Sequence, residues 1–214
     1  MIVKTIKRSR VYKLYREFRE LIEYWRWIKN GRPVPPPHSI KQGIIKGYAR
    51  SYHCGIFFET GTYLGGMIEA VKNHFQQIYS IELSPSLAQR ACEWFRSEKH
   101  IHIMQGNSAK LLPDTIKTIS KPCLFWLDAH YSGEGTAISE KRCPILEELS
   151  SILTHPVKNH VVLIDDARKF TGKEGYPHID ILLNYIREIR SDLTLRVATD
   201  IIRITKDEFQ KSNS

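Results

Sequence analysis

Three apolar runs of this chain end in carboxylates, at Phe57-Phe58-Glu59, Leu127-Asp128 and Ile164-Asp165-Asp166. Acids at the ends of buried strands gather along one edge of a parallel sheet. Asp128, Asp165 and Asp166 would repel one another there unless a cation joined them. Hard oxygen donors select Mg²⁺, Mn²⁺ or Ca²⁺ over zinc or copper, so these three are the candidate metal ligands. The competing arrangement has Asp165 or Asp166 capping a turn and Asp128 paired with an arginine such as Arg168. His130 follows Asp128 by two residues. Its imidazole, with an ordinary pKa of about 6.5, suits a general base beside a site acid. Lys169 and Tyr131 are rival bases.

The first acid opens a turn, Glu59-Thr60-Gly61-Thr62-Tyr63-Leu64-Gly65. Glycines in such a turn let a ligand approach the backbone closely. Glu82 ends the next apolar run, roughly 20 residues past Gly61, where an acid can hold a ribose diol. The turn lacks the G-x-G-x-x-G of pyrophosphate sites, and Glu59 would repel phosphate and attract an ammonium. A ribose-bearing ligand with a cationic end and no phosphate is therefore expected, and S-adenosylmethionine fits that description. Thr62 and Gly65 belong to the same turn. Asn107 and Ser108, in Gln105-Gly106-Asn107-Ser108, either contact an adenine edge or cap the next helix.

Alternating patterns position these residues. Strands are expected at 55–59, 78–82, 100–105, 123–128, 160–165, 193–198 and 200–205. Helices are expected at 65–74, from Ser84 to about 97, and at 108–119, 144–153 and 176–190, the last capped near Gly175. Such alternation with buried strands means a doubly wound, mostly parallel seven-stranded α/β sheet with an antiparallel edge.

The amino-terminal region differs. Residues 1–50 hold 13 Lys/Arg and 3 Glu, whereas the rest of the chain is nearly neutral. Val11, Leu14, Phe18, Leu21, Trp25 and Ile28 form one helical stripe, followed by Arg32-Pro33-Val34-Pro35-Pro36-Pro37. The chain thus divides into a basic helical extension over 1–50 and a catalytic domain over 51–214. The stripe has three readings: packing on the domain or against a second subunit as a homodimer, peripheral membrane contact through residues 1–30, or nucleic acid. Packing is favoured because the proline linker is short and stiff, and nucleic acid is not expected as a partner. Four cysteines without a C-x-x-C pair, and no apolar run near 18 residues, suggest a cytoplasmic protein.

The ordered set of motifs resembles class I S-adenosylmethionine-dependent methyltransferases. Phe58 to Gly65 looks like motif I in its E-x-G-x-x-x-G form, and Tyr79-Ser80-Ile81-Glu82 resembles motif II. Gln105-Gly106-Asn107-Ser108 resembles the adenine-contacting turn. Phe125 to His130 and Val162 to Asp166 resemble the metal-bearing strand ends of the catechol-type and macrolide-sugar-type O-methyltransferases. The catechol type usually has Asp-Asn at the second of these, where this chain has Asp165-Asp166. That group's catalytic lysine falls near His130-Tyr131, where this chain has none. The resemblance covers about residues 50–205. It implies a Rossmann-like fold and methyl transfer to a hydroxyl of a small acceptor, a sugar or a phenol, assisted by Mg²⁺ or Mn²⁺. Glu59, Gly61, Thr62, Gly65, Glu82, Asn107, Ser108 and Asp128 would then bind the cofactor. Asp128 and His130 would serve catalysis. The alternatives are transfer without a metal and a non-catalytic scaffold of the same fold.

Overall fold

A computed structural model describes residues 10–128 and 143–206 of the chain. His130, Tyr131 and the loop over 131–142 lie outside them. Seven strands form one sheet: β1 (Ile56–Thr60), β2 (Gln77–Glu82), β3 (Ile101–Gln105), β4 (Cys123–Leu127), β5 (Val161–Ile164), β6 (Leu193–Ala198) and β7 (Ile201–Lys206). Their order is β3-β2-β1-β4-β5-β7-β6. The first five run parallel, and β7 enters antiparallel between β5 and β6. Strand order reverses between β1 and β4, so a crevice opens at their carboxyl ends.

Among the described residues seven helices accompany the sheet: α1 (Arg10–Lys29), α2 (His38–Ser51), α3 (Gly66–Val71), α4 (Pro85–Phe95), α5 (Ser108–Ile116), α6 (Ile145–Thr154) and α7 (Ile179–Ile189). Side chains alternate across each strand, which sorts the core into two layers. Phe57, Leu124 and Trp126 pack with Ile45 and Ala49 of α2, Ile68 of α3 and Phe95 of α4. Phe58, Phe125 and Leu127 pack on the other face with Leu112, Leu149 and Leu182 of α5, α6 and α7. Full burial of each such ring or branched chain stabilises by about 1.5–3 kcal/mol. Helix α2, which the division at residue 50 sets apart, is thus part of the core.

Two expectations change. Helix α7 begins at Ile179 rather than 176. The backbone at Thr171 and His178 forms an isolated bridge first, and His178 then caps the helix by accepting the Asp180 N–H at Nδ1. Helix α1 does not bury its stripe on the domain. Leu14, Phe18, Leu21 and Trp25 are each more than half exposed. The linker holds the helix by its end instead, through Trp27 Nε1 donating to the Pro33 carbonyl at 2.8 Å. No described helix is long and apolar enough to cross a membrane.

Candidate cofactor crevice and acid edge

The turn after β1 is built around two carboxylates. Glu82, at the end of β2, is buried and accepts the Tyr63 N–H at Oε2 (2.7 Å) and the Ser84 N–H at Oε1 (2.9 Å). Tyr63 adopts φ 47° to aim its amide there, a conformation that costs a non-glycine residue free energy. Two backbone donors therefore fix the plane of Glu82, and each oxygen keeps a second lone pair for a diol.

Glu59 lies deeper. Ser80 Oγ donates to its Oε2 at 2.8 Å, and Thr62 Oγ1 bonds Ser80 Oγ at 2.6 Å. The pairing of Glu59 with Ser80 across β1 and β2 puts the two side chains side by side. Burial pushes the Glu59 carboxyl up to about 8, with Asp128 and Glu82 adding repulsion against the Ser80 hydrogen bond. A neutral acid at pH 7 would ionise when a cation arrives beside it.

The two glycines of the turn make room mainly for the protein itself. Gly61 sits at φ 91°, and a Cβ on it would come within 3.3 Å of Asp128 Cβ across the strand reversal. Gly65 sits at φ 71°, and a Cβ there would press to 2.8 Å from the Phe95 ring of α4. Asn107 accepts the Ala109 N–H at 2.9 Å, so it caps α5. Ser108 hydrogen-bonds the side chain of Glu148.

Glu148 was missed by the sequence reading. It is 2% exposed, and burial raises its carboxyl to about 7, against the Ser108 bond. Asp128 is a charged neighbour of both Glu148 and Glu59. Glu59, Glu82, Asp128 and Glu148 thus bring four acids to the crevice from β1, β2, the end of β4 and α6. The signal was available: Ile145, Glu148, Leu149 and Ile152 share one face of α6.

Lys41 was missed in the same way. It stands one turn before Ile45 on the buried face of α2. Its Nζ reaches Asp165 Oδ2 at 2.6 Å and lies 3.9 Å from Asp166 Oδ1. Arg168 Nη1 reaches Asp166 Oδ1 at 2.8 Å and also pairs with buried Asp200. Burial pushes the Asp165 carboxyl up, and Lys41 pulls against it. His38, exposed at the start of α2, hydrogen-bonds the Gly66 backbone and has Lys41 and Asp165 as charged neighbours.

This arrangement departs from the expected metal trio. Among the described residues no three His, Cys, Asp or Glu side chains are grouped to hold a metal ion. A Mg²⁺ about 2.1 Å from Asp165 Oδ2 would lie within roughly 5 Å of the Lys41 ammonium. Lys41 lies on Asp165, and Arg168 is shared between Asp166 and Asp200, so both acids of the pair already face a side-chain cation and the donor set does not fit a divalent ion.

No protein-family model and no curated protein matches this chain. Solved structures do. The S-adenosylhomocysteine-bound methyltransferase PaMTH1 of Podospora anserina aligns with a TM-score of 0.53 at 15% identity, over 88% of each chain. The O-methyltransferase TomG of Streptomyces achromogenes, involved in tomaymycin synthesis and solved with S-adenosylmethionine, aligns with 0.56 at 15%, over 87% of this chain and 88% of its own. The N-methyltransferase NodS of Bradyrhizobium japonicum aligns with 0.51 at 12%, over 78% and 94%. Strand order, the antiparallel β7 and the crevice between β1 and β4 therefore give this chain the Rossmann-like fold of S-adenosylmethionine-dependent methyltransferases.

Proposed function

We propose that this chain transfers the methyl group of S-adenosylmethionine to a hydroxyl of a small acceptor, a sugar or a phenol. The observation that carries the reading is the fixed Glu82 carboxylate at the end of β2 beside the buried Glu59 of β1, the strand at which the order reverses. Glu82 would take the ribose diol. Glu59 would ionise against the cationic end of the ligand. Bound S-adenosylmethionine supplies an electrophilic methyl carbon. The acceptor oxygen would take that carbon with the sulfur as leaving group, and a base of this chain would hold the hydroxyl proton. His130, with Lys169 and Tyr131 as its rivals, would be that base, and Asp128, two residues before His130 in the sequence, would orient the acceptor.

Expected metal assistance would need Asp128, Asp165 and Asp166 as ligands. The Lys41 contact to Asp165 supports the second reading instead, transfer without a metal, and no step here is routed through one. Calorimetry with S-adenosylmethionine and S-adenosylhomocysteine tests the proposal. Micromolar binding of both is expected, and Glu82→Ala should weaken it by about 1.5–3 kcal/mol, as for hydrogen bonds to a charged group. Binding of NAD with no heat from either of these ligands would overturn it.

A further inference from the structure

The acids after β5 are joined to a distant part of the chain by a lysine. Lys41 donates to Asp165 across 124 residues of sequence. Its side chain is 13% exposed, and those of Asp165 and Asp166 are 6% and 3%. Asp165 is held on other sides as well. Its Oδ1 accepts the Asp166 N–H at 2.8 Å, and its own N–H donates to the Leu127 carbonyl at 3.0 Å. The lysine rides on a rigid element, since Ile45 and Ala49 of the same helix are buried in the core. A buried charged pair of this kind is costly to break on one side, because the remaining charge stays in a poorly solvated place. The ammonium also occupies the approach to both acids, 2.6 Å from Asp165 Oδ2 and 3.9 Å from Asp166 Oδ1.

We infer that Lys41 is the resident cation of this edge: a positioning residue that takes the place of a divalent metal and fixes Asp165 beside the crevice. The inference goes beyond methyl transfer and holds for the edge whatever the reaction. Electron paramagnetic resonance of Mn²⁺, titrated with the full-length protein, tests it. The wild-type chain should leave the free-ion signal unchanged through Asp165. Lys41→Met should vacate the place and bind one Mn²⁺ per chain at least tenfold more tightly than wild type. The Lys41→Met/Asp165→Asn double variant should lose that ion again. A wild-type protein that binds one Mn²⁺, abolished by Asp165→Asn, would overturn the inference. So would a folded Lys41→Met variant that binds none. If Lys41→Met does not fold, the double variant decides: removal of both charges should restore folding, and a double variant as unfolded as the single one would contradict the counter-ion role.

Discussion

Glu59 is a carboxylic acid held where water scarcely reaches it, 2% exposed and bonded to Ser80. With its carboxyl raised to about 8 by burial, it is mostly protonated at pH 7 in the free protein. A cationic ligand favours the ionised form, so binding should expel a proton at neutral pH and affinity should climb as pH rises toward 8. Calorimetry in two buffers of different ionisation heat would show that proton release, and Glu59→Gln should abolish it. A pH-independent affinity between 6 and 8 would contradict this role for Glu59. Gly65 makes a separate claim at the same scale. Its φ and the nearby Phe95 ring leave no room for a methyl group, so Gly65→Ala should destabilise by about 1–3 kcal/mol. Thermal denaturation measures it, and an unchanged melting temperature would mean that α4 can shift. The glycine turn and the acids of β1 and β2 were legible in sequence, because turn geometry forces residue types at short spacing. Lys41 and Glu148 were not, because their partners come from other elements. Each did leave a trace, a charged residue on the buried face of an amphipathic helix.

At the scale of elements, β4 and β5 are tied at their amino ends by two buried histidines. His160 Nδ1 accepts the Cys123 N–H at 3.1 Å, and its Nε2 meets His155 Nδ1 at 2.9 Å. Burial foremost, then His155, lowers the His160 pKa to about 4. The unfolded chain, with an ordinary value near 6.5, binds more protons between the two pH values. Stability from this site is therefore full above about 6.5 and lost as pH falls toward 4, by up to about 3 kcal/mol. Glu59 and Glu148 act oppositely, since their raised carboxyls regain protons as pH falls. The melting-temperature gap between wild type and His160→Gln isolates the histidine: it should narrow or invert from pH 7 to pH 4.5. A constant gap would contradict a His160 that is buried neutral. Helix α1 tests differently. Since Leu14, Phe18, Leu21 and Trp25 are exposed rather than packed, removal of residues 1–32 should shift the melting temperature by no more than about 2 °C, the low end of the shift that 1 kcal/mol gives a domain of about 150–250 residues. A fall of several degrees would mean that the helix supports the domain. Sequence periodicity placed this helix but not its neighbour, because an apolar stripe states that something should cover it and not what.

For the molecule as a whole, alternation of apolar strands and amphipathic helices made the layered sheet legible before any coordinates. The position of β7 between β5 and β6 was not, since two adjacent strands can add to an edge in either order. Boundaries moved by one to three residues where side chains, such as His178, capped a helix. The acid edge was seen as a set of carboxylates, while its charge balance depended on Lys41 and Arg168 arriving from elsewhere in the fold. Methyl transfer as proposed requires the crevice between β1 and β4 to hold a nucleoside in one orientation. A crystal structure with S-adenosylhomocysteine at saturating concentration tests it most directly. Ribose hydroxyls are expected within hydrogen-bond distance of both Glu82 oxygens, with the ligand's amino end toward Glu59. Ligand absent from the crevice, or bound with its ribose away from Glu82, would contradict it.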